Sequence, residues 1–467
     1  MGADYTKPPF EGQAGASVRD KERGISVSLL SGYTVANLSF LHLTTFRFCR
    51  TLLYYTKLRI EPMIERWQTS KLRAMLEVRR GVNLTGARQT GKSTLAGMVD
   101  LPKSRRYTFD DKLVRSIANT DPNGFVAHEK GETVVIDEIQ KVPDILEAIK
   151  MVVDRDSSSG QYLLTGSSNL RFAKAVKDSL AGRLGRIRLR TLALGELNGN
   201  PPTFLRRAFN RDFDPFYTYF TRRDVIHAAV RGGYPEILDY SPDDRSDWFE
   251  AYLDDLIEKD IQDVTEIRKL PELRATALWL LAHTAQFFST EELSAKAAIS
   301  KVTAQNYMAA LKALYVFDSI PSWTKSDYEM VGKREKWIAT DSALVASILG
   351  WNESELYMDE SRNGKLVETW VYQQLAAIAD ADGGYTISHY RDNRKREIDF
   401  MVERKDCAIL GVEVKAGQAS LDDFKHLKWF AENLAKVPFT GIVLYSGDKT
   451  LRFGEGLYAV PMSALGS

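Results

Sequence analysis

Residues 82–94 read VNLTGARQTGKST, an apolar run followed by a glycine-rich turn and the start of a helix-compatible stretch. Gly86 is followed, after four residues, by Gly91, Lys92 and Ser93. Glycines at these places let the backbone fold tightly enough to aim its N–H groups inward, and the next helix adds partial positive charge at its N-terminus. Such a turn cradles phosphate. Gly86, Ala87, Arg88, Gln89, Thr90, Gly91, Lys92, Ser93 and Thr94 are therefore the expected nucleotide-binding residues. Lys92 is placed to reach the β- and γ-phosphates of ATP, and the Ser93 hydroxyl to ligate Mg²⁺.

A second stretch supports the first. TVVIDE, from Thr133 to Glu138, is an apolar strand that ends in two carboxylates. A buried parallel strand ends that way when its C-terminal edge faces a ligand. Asp137 is expected to hold the Mg²⁺ shell through water, and Glu138 to polarise the attacking water as general base. A third strand, YLLTGSS, ends at Thr165, Gly166, Ser167 and Ser168. Ser167 could sense the γ-phosphate, or it could cap the helix that follows. SLAGRLGRIRLR then offers Arg183 and Arg186. Arg183 is the candidate for stabilising transition-state charge, in its own chain or a neighbour's; a surface ion pair is the other reading.

Further out, strands alternate with helical stretches from Met63 to about residue 200, which argues for a parallel sheet covered on both faces. LNGNPPTF (Leu197–Phe204) breaks the pattern and marks a boundary. The expected organisation is an extension over 1–62, an α/β nucleotide domain over 63–200, a helical region over 201–350 and a mixed α/β unit over 351–467. A chain of 467 residues is long enough for roughly two to four domains. A net charge of +1 gives no bulk attraction to nucleic acid or membrane. The two cysteines, Cys49 and Cys407, stand in no metal or redox spacing, and the six histidines are scattered. Val27–Phe46 carries no charge, but eight of its residues are Ser, Thr, Asn or His, so it does not read as a membrane span. A cytoplasmic setting is expected.

The helical region contains two helical patterns, capped by Thr290 and Ser300, followed by an apolar strand, which is a winged helix-turn-helix order. Lys301 and Lys312 are the only basic residues of the second helical pattern, a thin footprint for DNA phosphates. A structural or protein-binding role is therefore favoured over DNA reading. The acidic run DDLIEKDIQDV upstream reads as a solvated helix face.

Near the end, REIDFMVERKDCAILGVEVKAG (Arg396–Gly417) reads as a hairpin turning around Asp406. Alternation puts Ile398, Phe400 and Val402 on one face with Leu410, Val412 and Val414. Asp399, Glu413 and Lys415 fall on the other, with Asp399 opposite Glu413. That is either a hairpin with one wet face or a site for a shared Mg²⁺.

GARQTGKST, VVIDEIQKVPDIL, LLTGSS and SLAGR together resemble the AAA-type P-loop ATPases, in the class with an additional strand between the P-loop and the Asp-Glu strand. With GGYPE (Gly232–Glu236), REIDF and GVEVKAG, the chain from Met63 onward is similar to a prokaryotic group of uncharacterised function. There the ATPase is followed by a winged-helix region and a restriction-endonuclease-like, PD-(D/E)XK domain. The resemblance implies a nuclease-like site of Glu368, Asp399, Glu413 and Lys415, the carboxylates binding metal and the lysine positioning water. Two functions follow as expectations. ATP turnover drives action on DNA, or a nucleotide-gated switch binds a protein partner and its nuclease-like domain does not cut; either could work as an oligomer. Because residues before Met63 lack the periodicity of the rest, they are expected to be loosely packed or disordered. A chain starting at Met63 should then keep its thermal stability and ATP binding, and loss of soluble protein on that truncation would count against the expectation.

Overall fold

The computed structural model describes residues 64–166, 180, 182–213, 220–261, 269–324 and 334–467, and the backbone of one antiparallel pair, β1 (Ser17–Arg19) with β2 (Ser26–Ser28). Apart from that pair, the expected loose extension over 1–62 lies outside the described residues. The chain divides into two units between Met63 and Ile64, and the larger, Ile64–Ser467, carries the elements that follow.

Five parallel strands form the first sheet: β3 (Gly81–Thr85), β4 (Ser104–Thr108), β5 (Thr133–Asp137), β6 (Tyr162–Thr165) and β7 (Leu184–Arg188). Their order across the sheet is β4-β5-β6-β3-β7. This is an α/β sheet of the P-loop NTPase type, with β6 as the additional strand between the glycine-rich loop's strand and the Asp-Glu strand. Alternation along the strands feeds two cores. Val134 and Ile136 pack with Ile145 and Ile149 on one face, while Val135 and Leu163 pack with Leu72 and Leu95 on the other. β3 is buried along its whole length, as expected of a strand covered on both sides.

The middle region is mostly helical. Helices Thr290–Lys296 and Lys301–Ala313 are followed by the antiparallel pair β8 (Phe317–Ile320) and β9 (Lys336–Ala339). Ser300 caps the second helix as expected, its hydroxyl accepting from the Thr303 N–H at 3.1 Å. The first is capped by Ser289, not Thr290. Ser289 Oγ accepts from the Glu292 N–H at 3.1 Å, and Glu292 reaches back to the Ser289 N–H at 2.9 Å. A Glu three residues on makes Ser289 the better cap, because both orphan N–H groups are satisfied at once.

The C-terminal sheet is mixed: β10 (Tyr385–Arg391), β11 (Glu397–Arg404), β12 (Ile409–Lys415), β13 (Phe439–Tyr445), β14 (Leu451–Gly454) and β15 (Leu457–Pro461), in the order β10-β11-β12-β13-β15-β14. β11 and β12 pair as a hairpin, Phe400 against Val412, with the turn at Asp406. One expectation fails. Ile398 does not share a face with Phe400 and Val402; it packs with Met401, Ile409 and Leu427, while Phe400 and Val402 join Leu410 and Val412. The cause is a bulge: Ser388 pairs with Met401 but Tyr390 with Ile398, so β11 carries one residue more than β10.

Helix Glu360–Asp382 is buried on nearly every side, among residues of both the middle region and the C-terminal sheet. The two therefore share one hydrophobic core. No helix among the described residues is long and apolar enough to cross a membrane.

A charged knot ties this core to the first sheet. Asp318 on β8 accepts from Arg188 at 2.9 Å, from Arg190 at 2.9 Å and from the Tyr372 hydroxyl at 2.7 Å. Arg190 also donates to Asp380 of the long helix at 2.6 Å. Burial would raise the Asp318 pKa, yet the two guanidiniums outweigh it and hold the carboxyl well below the usual range. Removing one partner of a buried pair costs about 3–5 kcal/mol. Asp318→Asn should lower the unfolding free energy at pH 7 by an amount of that order. A depressed pKa gives stability that is complete above the unfolded value of about 3.9 and lost as pH falls below it. The gap between wild type and variant, read from denaturant melts, should therefore narrow by about 1.4 kcal/mol per pH unit below that value.

Candidate functional site

At the C-terminal edge of the parallel sheet, Gly86–Thr94 folds back over the end of β3. Gly86 has φ +151°, and a Cβ there would lie 2.2 Å from the Leu189 carbonyl oxygen, so the turn needs glycine. Gly91 is left-handed at φ +90°. The Thr90 hydroxyl donates to the Ala87 carbonyl at 3.0 Å and closes the turn. Lys92 Nζ points into it, donating to the carbonyls of Ala87 at 2.6 Å and Gly86 at 3.1 Å. Burial lowers its pKa to about 8, with Glu138 and Asp137 pulling the other way. A buried ammonium whose hydrogen-bond partners among the described residues are carbonyl oxygens suits a triphosphate. Gln89, Ser93 and Thr94 are exposed on the mouth of the loop.

β5 delivers Asp137 and Glu138 to the same edge. Asp137 accepts from the Thr165 hydroxyl at the end of β6. Glu138 is held by the Gln140 side-chain amide and sits in the left-handed region at φ +55°, an uncommon place for a non-glycine residue. Burial, and then the Asp137 charge, raise its pKa. Ser167 and Ser168 lie outside the described residues. Arg183 is not brought to the loop. It precedes β7, at the end of the sheet away from Gly86, and pairs with Asp154 at 2.9 Å. For its own chain this corrects the expected charge-stabilising role, since the parallel strands keep the two ends apart.

In the C-terminal sheet, the hairpin ladder ends at Phe400 opposite Val412, one residue short of Asp399 and Glu413, and Asp399 Oδ2 accepts from the Val414 N–H at 2.9 Å. Lys415 Nζ stands 3.8 Å from Glu413 and 3.6 Å from Asp423. Glu368, on the long helix, joins them: burial, and then the Asp399 charge, push its pKa up. Burial and Asp399 push Glu413 up as well. The four side chains expected together are thus neighbours. With them is a residue the sequence reading missed, Lys336 of β9, paired with Glu368. Among the described residues, no group of three or more His, Cys, Asp or Glu is arranged to hold a metal ion.

Three family models match successive parts of the chain: an AAA domain over 78–198, and domains of unknown function, DUF8612 over 222–355 and DUF4143 over 363–465. Residues 78–198 thus resemble an AAA domain, on a sheet of the P-loop NTPase type. Uncharacterized proteins of Mycobacterium bovis and Mycobacterium tuberculosis are each 27% identical over 417 residues, covering 85% of this chain and 84% of theirs. Among solved structures, the RuvB Holliday junction branch migration motor of Thermotoga maritima is 16% identical, covering 63% of this chain and 97% of that one, with a TM-score of 0.29.

The AAA domain is braced by residues that no motif announces. Buried Arg66 donates to the Thr90 carbonyl at 2.7 Å, to the Arg190 carbonyl at 2.6 Å and to Glu196 at 3.0 Å, fixing the loop to the exit of β7. Arg88, inside the loop, reaches Asp260 of the middle region at 3.0 Å. Asp260 ends a π-helical turn, Leu256–Asp260, so the acidic run there is not merely a solvated face. The pair is partly exposed, 38% and 18% by side chain, which keeps its worth modest. Arg88→Ala and Asp260→Ala should each lower stability, and the double variant by less than the sum, with a coupling of about 0.5–1 kcal/mol. Additive losses in thermal or denaturant melts would show that the pair does nothing.

Proposed function

We propose that this is a cytoplasmic Mg²⁺-dependent ATPase that works as a nucleotide-gated switch. What carries the reading is the convergence of buried Lys92 with Asp137 and Glu138 at one edge of the sheet, close enough for the carboxylates to act on the lysine's charge. Lys92 would neutralise the phosphate oxygens. Ser93 and, through water, Asp137 would hold Mg²⁺. When bound, the metal offsets the charge that grows on the transferring phosphoryl group. Glu138, with its raised pKa and fixed backbone, would orient and polarise the attacking water. Gating is supported by Arg88, which belongs to the phosphate loop and yet pairs with the middle region. Phosphate oxygens and Asp260 compete for one guanidinium.

A second reading, ATP-driven action on DNA through a nuclease-like C-terminal domain, is favoured by the grouping of Glu368, Asp399, Glu413 and Lys415. Lys92→Ala should abolish ATP binding in calorimetry. Glu138→Gln should bind ATP as wild type does while hydrolysing it about 100-fold or more slowly, within the usual range for loss of a general base. Hydrolysis by the glutamine variant at the wild-type rate would refute the assignment. Turnover that is equal with and without DNA supports the switch, and DNA-stimulated turnover supports the second reading.

A further inference from the structure

The carboxylates of the C-terminal cluster converge on an ammonium group. Lys336 is fully buried, and its Nζ pairs with Glu368 Oε1, with Asp399 Oδ1 at 3.7 Å and with Glu397 Oε1 at 3.8 Å. It comes from β9, a strand of the middle region, and is threaded between two aromatic rings. Its Nζ lies 5.6 Å from the centroid of Phe287 and 5.5 Å from that of Phe400. Of the two Asp399 oxygens, one accepts from the Val414 N–H and the other faces Lys336. The cation shared by Glu368 and Asp399 is therefore the chain's own.

We infer that Lys336 is the resident cation of this cluster, holding between Glu368 and Asp399 the place that a divalent metal takes in a hydrolytic site, so that the cluster as folded does not bind metal. The inference rests on the second reading only for the grouping of these residues. A divalent ion entering beside the ammonium would meet like charge at close range, and expelling the ammonium would leave it unpaired between half-buried Phe287 and buried Phe400. The arrangement also gives the lysine a second effect, since the same ion pairs fasten β9 to β11 and to the long helix.

The test is Mn²⁺ binding to the full chain without nucleotide, by calorimetry and electron paramagnetic resonance, in wild type, Asp399→Asn, Lys336→Met and Lys336→Met/Asp399→Asn. Any Mn²⁺ held by the phosphate loop is common to all four and cancels. Wild type and Asp399→Asn should be indistinguishable. Lys336→Met should gain one equivalent at least tenfold tighter than any Asp399-dependent binding in wild type, and the double variant should lose it. An equivalent already present in wild type and lost in Asp399→Asn would overturn the inference while leaving the cluster a metal site. Folded Lys336→Met that gains nothing would overturn it too, and the second reading with it. If Lys336→Met is unfolded without metal, Mn²⁺ that restores its melting transition supports the inference, and Mn²⁺ that does not restore it counts as refutation.

Discussion

One carboxylate, that of Asp318, holds the parts of this protein in register. Two guanidiniums and a phenol converge on it from the exit of β7 and from the long helix. Buried ion pairs add little net stability compared with apolar packing, but they tolerate few alternative arrangements. The exit of β7 is also what Gly86 packs against and what Arg66 grips. Through Leu189 and Arg190 the phosphate loop is thus joined by direct contacts to β8 and to the helix on which Glu368 stands.

Strain gathers at the loop edge of the parallel sheet. Gln89 and Glu138 both occupy the left-handed region, at φ +59° and +55°. Such backbone persists only when its surroundings over-determine it. For Glu138 the restraints are the buried strand before it, the Gln140 amide, and Gly166, where a Cβ would come 2.4 Å from Gln140 Oε1. The direction of the carboxylate is thus set by the protein's own packing.

What the sequence made legible was what short spacing encodes. The glycine-rich turn, the strand ending in Asp137 and Glu138, the additional strand β6 and the hairpin around Asp406 all show in runs of ten residues or so. Contacts between distant segments do not. Arg88 and Asp260 are 172 positions apart, and an aspartate in an acidic helix looks solvated until its partner is known. Lys336 heads the apolar stretch KWIA, where a lysine ordinarily reads as a strand end in solvent. Its burial is decided by Glu368, 32 positions away on another element. The bulge in β11 was hidden for a different reason. Ile398, Phe400 and Met401 suit either face of a sheet, so composition does not mark the extra residue.

The shared core has a consequence for how the chain comes into being. Asn200, at the end of the AAA domain, donates to the carbonyl of Gly466 at 2.7 Å, and Thr203 donates to that of Ser467 at 2.9 Å. Phe204 and Leu205 lie in the same apolar cluster as Met462 and Leu465. At roughly 5–20 residues per second of synthesis, these partners emerge on the order of 13–50 seconds apart. For that interval the nucleotide domain can already be complete, while Phe204 and Leu205 wait for a cover, Met462 and Leu465, that has not yet been made.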